Sequence, residues 1–90
     1  MQSAESQAVV RRFFAALRAL IAARRLRGVQ TFTRRYGINR WNFLTVERQP
    51  ERDMFQLAWM TALVRDYGVS PRWLLTGEGE MFDVPPTTKG

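Results

Sequence analysis

Residues 30–48 read QTFTRRYGINRWNFLTVER, and how that stretch divides decides the fold. Phe32 and Tyr36 stand four apart, so they share one side of a helix over about 29–36. Gly37 then ends it, because glycine takes the left-handed conformation without a Cβ clash and turns the chain sharply. Ile38 sits in the turn, and Asn39 is a good cap for a second helix over about 39–47 that carries Phe43 and Val46. The pattern is helix, tight turn, helix over about 29–47, the shape of an element that reads DNA.

Outward toward the N-terminus lies the strongest periodic signal in the chain. Val10, Phe13, Phe14, Leu17, Leu20 and Ile21 recur at three- and four-residue spacing, with Ala between them supporting helix formation. Core packing explains all of these apolar residues. Arg11, Arg18 and Arg25 fall along one flank of the stripe and Arg12 lies opposite it. Arg24 would enter the stripe, so the helix is expected to end near it, before Gly28. Arg24, Arg25 and Arg27 then gain from the negative end of the helix dipole. Residues 1–5 read as a loose start, with Ser3 or Ser6 as the cap.

Toward the C-terminus, Pro50 closes the motif. Asp53 is a candidate cap for a fourth helix over Met54 to Tyr67, whose Met54, Leu57, Trp59, Met60, Leu63 and Val64 read as buried scaffold. Gly68 repeats the stop signal. Ser70-Pro71 is a strong start for a short fifth helix with Trp73, Leu74 and Leu75, since a hydroxyl cap precedes a proline at the first helical position. TGEGE at 76–80 is a turn-rich exit, and Met81-Phe82 is expected to fold back as an apolar latch. Residues 83–90 read as a frayed tail. No repeat, low-complexity tract or alternating strand pattern is visible, so the class is all-α: one domain over 6–82 with a single core, as 90 residues allow.

Charge is uneven. Residues 1–50 hold ten Arg against Glu5 and Glu47, a balance of +8, and residues 51–90 hold four basic against six acidic groups, a balance of −2. The basic half favours a polyanion over a neutral small molecule. Arg also suits two-point contacts to phosphates and base edges. No Cys and no His occur, which removes thiolate chemistry, disulfides, imidazole acid–base chemistry and the usual metal ligands. The remaining Ser, Thr, Tyr and carboxylates form no catalytic constellation, so neither an enzyme nor a cofactor is expected. TGEGE lacks the Lys and Ser/Thr of a phosphate-binding loop. The polar N-terminus and broken apolar stretch suggest no signal peptide or membrane span, and a cytoplasmic protein is expected.

GINRWNFLTVER at 37–48 and, after a further helix, YGVSPRWLLTGEGEMF at 67–82 resemble the small lambda-repressor-like helix-turn-helix regulators of bacteria and phages, the Cro-type or Xre-type proteins. The likeness covers roughly residues 10–82. The Gly-centred motif is moderately specific, and GVS followed by WLLTGEGEMF is a distinctive closing signature. The resemblance implies a compact five-helix domain, double-stranded DNA as partner with the third helix in the major groove, frequent dimerisation, and a role in transcription or mobile-element control. The chain departs from the family in having Val29 where Gln usually begins helix two, with Gln30 next to it. Thr33 stands where Ala is preferred, which predicts a wider helix crossing. The loop after helix three is about two residues longer, which moves Arg48 and Arg52.

On this reading Arg40 is the first candidate for a base contact, since its guanidinium can donate two bonds to guanine O6 and N7; a phosphate clamp is its competing role. Asn42 and Thr45 are candidates for adenine or thymine edges. Trp41 is open to three readings: core, if it turns towards helix two or four; a contact to sugar or a thymine methyl, favoured by its neighbours Arg40 and Thr45; or, with Leu44, a partner surface. Gln30, Arg34, Arg35, Asn39, Arg48 and Arg52 are the phosphate candidates, supported by helix N-terminal amides. A two-fold dimer through helix five would read half-sites about 34 Å apart. Two alternatives compete. One is an antitoxin-like or mobile-element accessory protein that grips a protein through Trp41 and Leu44. The other is a peripheral membrane protein, which requires Val10, Phe13, Phe14 and Leu17 to be free for lipid.

Overall fold

Each helix of this protein starts and stops where local chemistry tells it to, with two exceptions. The computed structural model describes residues 3–52 and 54–83 and contains five helices: α1 (Ala4–Ala22), α2 (Val29–Arg35), α3 (Arg40–Arg48), α4 (Leu57–Tyr67) and α5 (Pro71–Thr76). The class is all-α, and among the described residues there is no strand beyond one isolated bridge. Residues 1–2 and 84–90 of the expected loose ends, and Asp53 as a cap, lie outside the described residues.

Ser3 caps α1 by accepting from the Ser6 amide at 3.1 Å, so the helix begins at Ala4, inside the stretch expected to be loose. Its end is the first exception. α1 stops at Ala22, and Arg24 takes the left-handed conformation at φ 62°. The Arg24 amide donates to the Ile21 carbonyl at 3.1 Å and the Arg25 amide to Leu20 at 3.0 Å, a closing turn in which Arg occupies the place usually held by Gly. Arg24, Arg25 and Arg27 therefore lie just past the last helical turn. Gly28 has extended backbone and caps the start of α2 instead of stopping α1.

The turn between α2 and α3 follows the glycine rule. Gly37 sits at φ 66°, the Ile38 amide donates to the Thr33 carbonyl at 2.8 Å, and Gly37 to Arg34 at 3.4 Å. Asn39 then caps α3, its side chain accepting from the Asn42 amide at 2.9 Å. Thr33 is buried at this crossing, and its hydroxyl is satisfied by donating to the Gln30 carbonyl at 3.2 Å.

The second exception is α4, which begins at Leu57 and not at Met54. Met54 and Phe55 belong to the preceding loop, yet both turn inward onto the core. Leu57, expected within the scaffold, is 76% exposed. Gly68 ends the helix at φ 72°, and Ser70 caps α5 by accepting from the Trp73 amide.

Phe13 of α1 is the centre of the core. Its ring lies edge-on to Phe14 at 5.0 Å, Phe55 at 5.1 Å, Phe43 at 6.0 Å and Phe32 at 6.2 Å between centroids. Trp59 of α4 closes on Phe43 at 4.9 Å. Val10, Phe13, Phe14 and Leu17 are all buried, so none of them is available to enter lipid. Among the described residues no helix is long and apolar enough to cross a membrane.

α5 is held against α1 by a polar contact. Arg12 donates through Nε to the Leu74 carbonyl at 2.8 Å and through Nη2 to Leu75 at 3.0 Å, satisfying carbonyls that the helix end leaves unpaired. The latch at Met81-Phe82 forms as well. The Ser70 amide donates to the Met81 carbonyl and the Asp83 amide to Gly68, both at 2.9 Å, and Val69 pairs antiparallel with Phe82.

Candidate nucleic-acid interface

α3 presents two contrasting sides. Phe43 and Val46 are fully buried against the rest of the domain, whereas Arg40, Trp41 and Asn42 at its N-terminal end are exposed. The Asn39 cap and the Gly37 turn create this arrangement, because together they set where α3 starts and how it leaves α2. The Arg40 side chain has no hydrogen-bond or ion-pair partner among the described residues. Trp41 is 70% exposed, an unusual state for an indole and one that places a broad apolar face beside a free guanidinium.

Thr45 is a correction to the base-contact set. It is only 3% exposed, and its hydroxyl donates to the Trp41 carbonyl at 2.9 Å while accepting weakly from Arg48 at 3.4 Å. A hydroxyl turned back onto its own helix presents nothing to a base edge. Arg48, the last residue of α3, lies along the helix over Thr45 and stays exposed.

Among the phosphate candidates, Gln30 and Arg34 come together. Both line a shallow cavity of about 320 Å³ with Arg27, Gly28 and Thr31. Arg27 was not among the expected contacts; it enters because the turn after α1 folds it toward α2. Arg35 has partners that the sequence did not show. Its guanidinium stacks over Tyr36 and Tyr67, 5.3 and 5.9 Å from their centroids, donates to the Tyr67 hydroxyl at 3.3 Å and lies 4.0 Å from Asp66. These contacts tie Arg35 to α4, so it braces α2, although its side chain stays more than half exposed. Asn39 spends its side-chain oxygen on the α3 cap. Arg52 follows in the loop after α3, donating to Gln49 at 3.4 Å.

On the other flank of α3, the Asn39 and Asn42 side chains border a cleft of about 630 Å³ whose walls include Ile38, Met54, Trp59 and Arg65. Behind it the α2–α4 contact is polar. Tyr36 donates to Asp66 at 2.5 Å, and Arg65 donates to the same carboxylate at 3.1 and 3.2 Å. The bonds from Arg65 and Tyr36 hold the Asp66 carboxyl down at about 2. Burial, then the bond to Asp66, pushes the Tyr36 phenol above its ordinary value.

Glu47 faces the opposite way, toward α1. Arg18 donates to it through two bonds, Nε at 2.9 Å and Nη2 at 2.6 Å. The bond to Glu47 raises the Arg18 guanidinium above its ordinary value. Among the described residues no group of His, Cys, Asp and Glu could hold a metal ion.

No protein-family model, curated protein or solved structure matches this chain.

Proposed function

We propose that this protein binds double-stranded DNA in a sequence-dependent way, with α3 in the major groove, as a small lambda-repressor-like, Xre-type transcriptional regulator. The observation that carries the reading is the exposed N-terminal end of α3. An Asn-capped helix leaves a tight glycine turn with its far side anchored in the core and an unpaired Arg, an exposed Trp and an exposed Asn at its tip. Arg40 donates to guanine, Asn42 to an adenine edge, and Trp41 lies against sugar or a thymine methyl. Gln30, Arg34 and Arg27 take the phosphates beside the groove, with Arg48 and Arg52 on the far side. The +8 balance of the first half supplies long-range attraction. A homodimer through α5, where Leu75 is exposed, matches two half-sites.

The test is a titration of the full chain against labelled duplexes at two salt concentrations, followed by selection of bound sequences from a random pool. Affinity is expected to fall steeply with salt, and the pool to converge on a motif. Absence of binding at low salt would refute the proposal.

The exposed Trp41 favours a second reading, in which an antitoxin-like or accessory protein uses the helix-turn-helix surface to grip a protein partner. Trp41→Ala separates the two. On the DNA reading it changes the selected motif, and on the partner reading it leaves any duplex binding unchanged.

A further inference from the structure

The tip of α3 is basic, yet the same helix carries one carboxylate, Glu47. Arg40 and Glu47 stand seven residues apart, about two turns, so they lie along one side of α3. A carboxylate in that position works against a polyanion drawn to Arg40. In this structure it is not left open. Arg18 of α1 grips it with two bonds of 2.9 and 2.6 Å, one to each carboxylate oxygen, a two-point pairing that offsets the charge and also fixes direction. The side chains are 50% and 24% exposed, so such a pair adds little to folding stability. Its larger effect falls on what approaches from solvent.

Resting on the DNA-binding reading, we propose that Arg18 is a positioning residue of the interface: it neutralises the carboxylate on the reading helix and pins the C-terminal end of that helix to α1. Two consequences differ in kind. Neutralising governs affinity for any duplex; pinning governs discrimination between duplexes, because the angle of α3 decides which base edges Arg40 and Asn42 reach.

The experiment measures Kd on a selected duplex and on a scrambled one at two salt concentrations. The full-length wild type is compared with Arg18→Gln, Arg18→Lys, Glu47→Gln and the double variant. Arg11→Gln is the control, an equal loss of charge elsewhere on α1 at an exposed residue. Arg18→Gln is expected to weaken both duplexes about tenfold, against about threefold for Arg11→Gln. In the Glu47→Gln background, loss of Arg18 is expected to cost no more than loss of Arg11. Arg18→Lys keeps the charge but not the two-point grip, so it should hold affinity for the scrambled duplex and lose discrimination. Glu47→Gln alone should bind the scrambled duplex more tightly and discriminate less, a result that stands even if Arg18→Gln proves unstable in a thermal melt.

Equal effects of Arg18→Gln and Arg11→Gln in both backgrounds would overturn the neutralising role. Unchanged discrimination in Arg18→Lys and Glu47→Gln would overturn the pinning. A wild-type chain that binds no duplex at low salt removes the DNA reading and this inference together, whereas the variant outcomes remove the inference alone.

Discussion

The phenol of Tyr36 donates to the carboxylate of Asp66 at 2.5 Å, joining the end of α2 to the last turn of α4. Tyr36 is the residue immediately before the Gly37 turn, so this bond steadies the point from which α3 departs. Arg65 and Arg35 approach the same carboxylate, at 3.1 and 4.0 Å. Asp66 is thus the ionic centre of the α2–α4 contact.

That arrangement predicts an acid-sensitive fold. The Asp66 carboxyl is held at about 2, below its ordinary 3.8, so the stabilisation it contributes is present above about pH 4 and is lost as pH falls toward 2. Thermal melts between pH 5 and 2 should show the wild type losing melting temperature in that window. Asp66→Asn, with no proton to gain, should give a flatter profile there; parallel profiles for the two proteins would count against the assignment.

Thr45→Val tests which way α3 faces. The substitution keeps the shape of a buried side chain and removes a hydroxyl bonded to the Trp41 carbonyl, so it should change stability by about 1 kcal/mol at most. Sequence preference should stay as in the wild type. A shifted preference would mean that the hydroxyl reaches the DNA after all.

Arg40 and Arg34 should behave differently. On the proposed DNA-binding reading, Arg40→Ala is expected to cost roughly 1–3 kcal/mol on the selected duplex and to relax preference at one position. Arg34→Ala should weaken selected and scrambled duplexes alike and reduce the salt slope by about 1. The comparison is read from titrations of both variants on both duplexes, and identical behaviour would leave Arg40 as a phosphate contact.

Two turns offer a matched pair of backbone tests. Arg24 holds φ 62° with a Cβ in place, so Arg24→Gly should stabilise the chain by roughly 0.5–1 kcal/mol. Gly37 holds φ 66° with nothing within 4 Å of where a Cβ would stand, so Gly37→Ala should destabilise by roughly 1–2 kcal/mol through conformation alone. Denaturant melts of both variants decide whether the signs are opposite.

What could be read from residues alone was chemistry that acts over a few positions. Gly37 and Asn39 signal the turn and the cap by their own conformational and hydrogen-bonding preferences, and the turn falls where they put it. Ser70-Pro71 does the same for α5. The end of α1 near Arg24 was legible because a charge there would enter the apolar stripe, but that an Arg would itself take the left-handed turn was not, since residue type gives no warning of it. The start of α4 escaped because Met54 and Phe55 continue the apolar run while lying in a loop. At the site, Arg40 and Asn42 stand exposed as expected and Trp41, open between core and surface, is exposed, whereas Thr45 is buried and Arg35 has partners on α4. Thr45 bends back to its own helix, and the partners of Arg35 come from α4, thirty-two residues further on in the case of Tyr67. Periodicity cannot report a partner at that separation.

The grip of Arg12 on the end of α5 has a consequence for how the chain closes on itself. Its guanidinium spans 62 residues to reach the Leu74 carbonyl, and the strip that follows must return to pair Phe82 with Val69. The carbonyls that Arg12 satisfies thus come from the far end of the described chain, whereas Phe13 finds its ring partners on α1, α2, α3, α4 and the loop before α4. Closing the globule therefore rests on contacts between distant parts of the chain, whose loop-closure entropy must be overcome before they stabilise it.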